Sequence, residues 1–512
     1  MSDAVVPSGV DSGEAQVEKL GYEQTLKREF GFFHAFAISF ADTSLIVAFY
    51  GSFALALGAA GPTFFWGLVI VLALQILVAL VLGEVSSRYP LEGGIYQWTL
   101  EQTGATSGWF SAWAYWWTMV FTMTSCAYAA ASFMLPGLGF DTASKGWFIA
   151  VAAVIVLVGL AINSIAQWIL KVFVTILLIA ELTTTVGLAI VFFFIYRDQP
   201  FSTLFHSFNT SGSSGINWLW IGWFGAIAFM GWTFLGFEAA GSIAEEVHEP
   251  AKNVPRAIVG VCVGIGIITL FVTVAFILAI PNMNDAMTGN IADPVMQTIS
   301  YHLGTGFEKP LLLMIALGFI GSMVALHMAG SRTLYSFGRD KMIPGSRFAT
   351  ILSKNRRLPW VALSFTAAIS IVVLLVNLGA EKVFSTLLQI SVAGFFISYG
   401  FVVVSQLIVH MKKRHQHGPF SLGKWSYPVT AIAAVWIVFE VINVTWPRSP
   451  SLPWYQNWGV LLYSVGLAVA GVVVFFLVPR HGGHVGEMPS AEIAEGAAFA
   501  DQPADADEDK TT

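Results

Sequence analysis

Four ionisable side chains sit inside long apolar stretches: Asp42 in FAISFADTSLIVAF, Glu181 in ILLIAELTTTVGL, Glu238 in GWTFLGFEAAG and His327 in MVALHMAG. An acid near the middle of a membrane span costs roughly 2.5–3.5 kcal/mol on insertion scales, so each is a functional hypothesis by default. A carboxylate there holds a cation, or takes up and releases a proton within a cycle. For Asp42 two readings stand side by side: an anion facing a cationic amine, or a carboxylate that caps its own broken helix or is satisfied by a buried partner. Glu238 either touches a solute or a gate, or holds a helix break. Glu181 is a proton-coupling candidate or a structural hydrogen-bond acceptor, and His327 is its candidate partner or an interior structural histidine. Around the acids Ser39, Thr43, Ser44 and Gly236 add small polar surface. Trp232, Phe234 and Phe237, with Phe229, add aromatic faces suited to an alkylammonium.

Other chemistries lack their residues. The ten histidines are scattered without metal-ligand spacing, and Cys126 and Cys262 both lie in apolar stretches, so neither a metal cluster nor a disulfide framework can be built. There is no GxxxxGKS or GxxxxGKT phosphate loop. The expectation is therefore no enzyme, no cofactor and no metal. The net charge of −6 says nothing of nucleic acid, and no nucleic-acid partner is expected, because eight acids lie between Glu487 and Asp509.

The elements that must position these groups follow from composition. Only 11% of the 512 residues are charged and 56% are apolar, against roughly 25% charged in a soluble domain. Between Asp42 and Glu84 there are 41 consecutive residues without Asp, Glu, Lys or Arg, and a run of that kind needs a lipid bilayer around it. Cutting at Gly, Pro and charge punctuation predicts an all-α integral membrane protein with twelve transmembrane helices. They fall at roughly 31–57, 63–86, 108–135, 146–165, 168–196, 216–247, 256–280, 309–336, 359–378, 382–409, 427–446 and 457–479. An even count puts both termini on one side, and the basic residues choose it. With the termini cytoplasmic, 20 of 25 Lys and Arg lie inside, the bias expected of a multi-pass protein of the cell membrane. Glu84 and Arg88, four apart at the inner end of the second helix, predict an i,i+4 ion pair.

The first and sixth helices are longer than a bilayer needs and carry polar punctuation at their middles, Ser39, Asp42, Thr43 and Ser44 in one and Gly231, Gly236 and Glu238 in the other. Discontinuous helices at matching places in two halves are the sequence pointer to a transporter binding site. Broken backbone is tolerated at that depth only where it lines a cavity or is buried in protein. The offset of five predicts two five-helix repeats, at 30–196 and 216–409, separated by an outer loop at 197–215. Two extra helices follow within 427–479. A soluble tail at 1–29 and a disordered acidic tail at 480–512 complete the chain.

Four motifs in this order resemble the amino acid/polyamine/organocation permease superfamily, over about residues 30–480. They are Pro90-Leu91-Glu92-Gly93-Gly94-Ile95-Tyr96-Gln97-Trp98; Gly236-Phe237-Glu238; Glu245-Glu246 with Pro250 and Val254-Pro255-Arg256-Ala257-Ile258; and Ser331-Arg332 with Tyr335, Arg339-Asp340 and Pro344. The resemblance is closest to the branch carrying amino acids, γ-aminobutyrate and choline-like amines. It implies a leucine-transporter-type fold with a 5+5 inverted repeat, a solute held between the broken first and sixth helices, and alternating access driven by an ion. Glu181 then lies where some proton-coupled relatives have a lysine, near the place where sodium-coupled members of the fold hold their ion, so a proton or sodium is the implied partner. One departure stands out: the first helix of the family usually breaks at a Gly-rich motif, and here it reads Ala41-Asp42-Thr43-Ser44.

The expected function is secondary active transport that imports an amino acid or small organic amine, with proton coupling. A uniporter or exchanger of cationic amines and a non-transporting membrane sensor are the alternatives. No Lys or Arg lies deep in a helix near the site, so a solute carboxylate would have to be met by helix N-terminal N–H groups. Asp42 and Glu238 tilt the reading toward a cation. The sequence gives no oligomeric state.

Overall fold

The computed structural model describes residues 20, 26–140, 144–164, 167–208, 210, 218–287, 293–353, 358–377, 383–448 and 453–477. The acidic tail expected from residue 480 lies outside these residues, as do most of the polar stretch before residue 26 and residues 211–215 of the expected outer loop. Among the described residues the regular structure is helical, with one β-bridge joining Phe30 to Val247.

In chain order the helices that build the bundle and its site include α1 (Phe32–Thr43), α2 (Leu45–Ala60), α3 (Phe64–Arg88), α4 (Ile95–Thr103), α5 (Ala105–Gly137), α6 (Lys145–Ser164), α7 (Gln167–Glu181), α8 (Gly187–Phe194), α9 (Phe224–Gly231), α10 (Ala239–Ser242), α11 (Pro250–Ala279), α12 (Glu308–Arg339), α13 (Trp360–Val376), α14 (Val383–Met411), α15 (Ser426–Thr445) and α16 (Gly459–Leu477). Nine segments among the described residues are long and apolar enough to cross a membrane, and two shorter apolar helical stretches run over Trp218–Phe234 and Trp360–Val376. The first of the nine, Phe32–Arg88, holds 57 residues. A straight helix of that length would run about 85 Å against roughly 30 Å of hydrocarbon, and the chain instead breaks it into α1, α2 and α3, turning at Gly61-Pro62.

Between lipid-embedded helices the hydrophobic effect is weak, and close packing through small residues takes its place. α14 crosses α5 at Gly394, where a Cβ would fall 2.2 Å from the Thr118 hydroxyl oxygen. The expected i,i+4 pair of Glu84 and Arg88 is replaced by bonds to other elements. The fully buried Glu84 carboxylate accepts from Leu422 N–H (3.0 Å), Ser421 Oγ (3.1 Å) and Ser426 Oγ, while Arg88 Nη2 donates to Gln406 Oε1 (2.9 Å). A carboxylate sealed from water takes the nearest donors around it, and here those come from the chain between α14 and α15 and from the first residue of α15.

Candidate functional site

The break in the first long helix is built at Ser44. Its backbone sits at φ 46, ψ 122, its N–H closes α1 on Phe40 O (2.6 Å), and its hydroxyl accepts from Val47 N–H (3.2 Å) to cap α2. The sequence Asp-Thr-Ser thus carries its own N-cap residue. A second cap arrives from elsewhere in the chain. Glu181, at the C-terminal end of α7 and buried, accepts from Ser44 Oγ (2.8 Å) and from Leu45 N–H (3.1 Å). Its carboxylate lies on the positive end of the α2 dipole, a favourable seat for an anion. A π-helical turn, Leu182–Val186, follows it directly.

The break in the second long apolar stretch is made by Leu235, extended at φ −117, and Gly236 at φ +91. Gly236 meets the first break head-on: a Cβ there would lie 3.0 Å from the Asp42 carbonyl carbon and 3.1 Å from both Asp42 Oδ2 and Thr43 N. Conformation and space both call for glycine. Gly236→Ala is expected to destabilise the protein by more than about 1 kcal/mol, read as a lowered unfolding midpoint in detergent; an unchanged midpoint would mean that the two breaks are not in contact.

Asp42 and Glu238 differ in their surroundings. Glu238 is buried, accepts from Tyr115 Oη (2.9 Å) and from Tyr399 Oη, and so ties the break to α5 and α14; Tyr399 Oη also accepts from Gly236 N–H (3.1 Å). Asp42 is 4% exposed, and among the described residues neither carboxylate oxygen has a hydrogen-bond partner. It caps nothing: the capping reading of this residue gives way to Ser44 and Glu181. A narrow void with about 10 Å³ of water-accessible space is lined by Asp42, Thr43, Val47, Thr122, Trp232, Leu235, Ser322 and Phe395.

Of the residues that the sequence singles out, Asp42, Thr43 and Trp232 line this cavity. Ser39 Oγ accepts from Ala240 N–H (2.8 Å) and joins α1 to α10, while Ser44 is occupied with the cap. Phe234 and Phe237 are buried; the Phe234 carbonyl accepts from Gln75 Nε2 (3.1 Å), and the Phe237 ring packs 5.4 Å from that of Tyr399. His327 hydrogen-bonds through Nε2 with Leu363 O (2.8 Å) and lies 3.5 Å from Asn163 Nδ2. Its contacts are on α6 and α13, whereas the bonds of Glu181 go to the first break. Thr122, Ser322 and Phe395 were missed, since nothing local distinguishes them from other hydroxyls and rings on apolar helices.

On one side of the cavity, three of the four sequence motifs converge. Arg332 Nε donates to Glu246 Oε1 (2.9 Å) and lies 3.9 Å from Glu92 Oε1. Arg339 Nη1 reaches both Glu245 oxygens (3.0 and 3.1 Å), whose Oε1 also accepts from Glu92 N–H (2.9 Å). Phe30 N–H donates to Glu246 O (3.0 Å) and Phe30 O accepts from His248 N–H (2.8 Å), so the entry into α1 is pinned to this cluster. On α4, burial and the neighbouring Asp340 charge push Glu101 up to about 7.

Two broken helices crossing at a buried, unpartnered carboxylate inside a multi-helix apolar bundle define a membrane carrier of small organic solutes. The comparisons with known proteins agree: residues 30–482 match the amino acid permease family, and the chain belongs to it. It is similar to an uncharacterised amino-acid permease of Schizosaccharomyces pombe (25% identity, covering 91% of this chain and 85% of the relative). It is similar as well to the amino-acid permease BAT1 homologue of Oryza sativa subsp. japonica (27%, covering 88% and 90%). A third relative is the thiamine transporter thi9 of S. pombe (23%, covering 92% and 86%).

Proposed function

We propose that this chain is a secondary active transporter that imports an amino acid or small organic amine by alternating access, coupled to protons. The observation that carries the reading is Asp42, a buried carboxylate at the crossing of two broken helices with no hydrogen-bond partner among the described residues. Glu181 is the proposed proton site, because its hydrogen bonds tie α7 to the break that must move as access alternates. Sodium in the same region is the alternative ion, and His327 is assigned a supporting place in α12 rather than direct proton exchange with Glu181. The proposed architecture is twelve membrane crossings of the leucine-transporter type, two five-helix repeats at 30–196 and 216–409 plus two further helices, in the amino acid and choline branch of the amino acid/polyamine/organocation superfamily.

A second reading is uniport or exchange of a cationic amine. It is favoured by the charge of Asp42 and by the relative named for thiamine, itself a cation. The membrane potential is worth about 2.3 kcal/mol per charge per 100 mV, roughly 50-fold accumulation at about 1.4 kcal/mol per decade. The test is uptake into proteoliposomes with pH, sodium and voltage gradients imposed one at a time. Accumulation driven by pH supports coupling, and accumulation driven by voltage alone supports uniport.

Both termini are proposed to be cytoplasmic, with residues 281–308 outside. In a background lacking Cys126 and Cys262, Tyr301→Cys is expected to react with an impermeant maleimide added to intact cells, and Gln416→Cys only after permeabilisation. The opposite pattern would invert the topology.

A further inference from the structure

The walls of the Asp42 cavity are unusually one-sided in hydrogen-bonding character. Each side-chain donor on them already serves a backbone carbonyl: Thr43 Oγ1 donates to Ser39 O (3.0 Å), Thr122 Oγ1 to Thr118 O (2.7 Å), Trp232 Nε1 to Val47 O (3.2 Å) and Ser322 Oγ to Asp42 O (3.0 Å). What these side chains turn to a ligand is lone pairs, the Asp42 carboxylate and the rings of Trp232 and Phe395. An ammonium group brings donors and no acceptor, so it fits such a wall; a carboxylate brings acceptors and finds no donor.

In a carrier with broken helices, a solute carboxylate is met by the N–H groups that a half-helix leaves unpaired. Here the protein itself occupies several of those places. Leu45 N–H, at the start of α2, donates to Glu181 Oε2 (3.1 Å), and the Ser44 hydroxyl beside it donates to Glu181 Oε1 (2.8 Å). At the other break Gly236 N–H donates to Tyr399 Oη (3.1 Å) and Ala240 N–H to Ser39 Oγ (2.8 Å). Glu181 is thus an internal carboxylate held in the place where a solute's own carboxylate would dock.

We infer that Glu181 determines specificity by filling that place, and that the site takes amines bearing no carboxylate, with the ammonium on Asp42 and the alkyl part against Trp232 and Phe395. The inference rests on the transport reading above and narrows its solute class. A zwitterion would have to displace Glu181 or bring its carboxylate beside Asp42, and like charges at such range are strongly disfavoured.

Matched pairs that differ by the carboxylate alone test it: cadaverine against lysine, putrescine against ornithine, agmatine against arginine and isobutylamine against valine. Binding is measured on the purified full-length protein by calorimetry or thermal shift, separately from flux in proteoliposomes. The expected result is that at least one amine binds at least about 100-fold more tightly than its amino acid. Glu181→Ala, which uncovers Leu45 N–H, is expected to narrow that ratio at least about tenfold by improving amino acid binding. Amino acids that bind as well as or better than their decarboxylated partners would overturn the inference, as would absence of binding by every amine. If Glu181→Ala does not fold, the ratios of the parent protein still decide. Amines that bind with the expected ratio but never cross the bilayer would instead overturn the transport reading and leave the specificity inference standing.

Discussion

Asp42→Asn is expected to lower affinity for a cationic solute by at least two orders of magnitude. The substitution keeps the size and the hydrogen-bonding capacity of the side chain while removing the charge that faces the cavity. Among the described residues neither carboxylate oxygen has a hydrogen-bond partner, so no cap or network there is broken by the substitution. Removing one member of a buried pair typically costs about 3–5 kcal/mol, and about 1.4 kcal/mol is a decade in affinity. Binding of an alkylamine, choline, putrescine, γ-aminobutyrate, alanine and lysine to the parent and the variant measures the effect. Unchanged affinity for every ligand that binds the parent would remove Asp42 from the solute site.

Glu181→Gln is expected to separate exchange from accumulation. The amide oxygen of glutamine can still accept from Leu45 N–H and its amide nitrogen can face Ser44 Oγ, so the cap on α2 survives. What is lost is the ability to bind and release a proton, and the variant resembles a permanently protonated carboxyl. Counterflow of labelled solute should therefore persist, while uptake driven by an inward proton gradient falls to the equilibrium level. A variant that accumulates solute with the pH dependence of the parent would make Glu181 a structural cap alone.

The membrane class, the apolar helices and the two broken ones were legible in the sequence because charge depletion and mid-helix polar clusters are local signals. So was Asp42, since an acid in an apolar run stands out on its own. Glu181 and Glu238 were legible as residues, with accepting a structural hydrogen bond and holding a helix break among their readings, but their partners were not, because each lies far along the chain: Ser44 lies 137 positions from Glu181, and Tyr399 lies 161 from Glu238. Ser322 and Thr122 line the cavity only because α12 and α5 bring them there, and a hydroxyl on an apolar helix gives no sign of that. The Glu84–Arg88 pair shows the opposite failure. An i,i+4 spacing predicts contact on an isolated helix, but the chain between α14 and α15 supplies closer donors to Glu84.

The central claim is that this bundle moves a small organic amine or amino acid against its gradient through the Asp42 site. The most direct measurement is uptake of the six labelled solutes named for Asp42 into proteoliposomes of purified protein, with an inward proton gradient, an inward sodium gradient or neither. At least one solute is expected to accumulate above its external concentration under the proton gradient, and Asp42→Asn is expected to abolish this accumulation at the same protein density. Uptake no faster than in protein-free liposomes under every gradient, or accumulation that Asp42→Asn leaves intact, would contradict it.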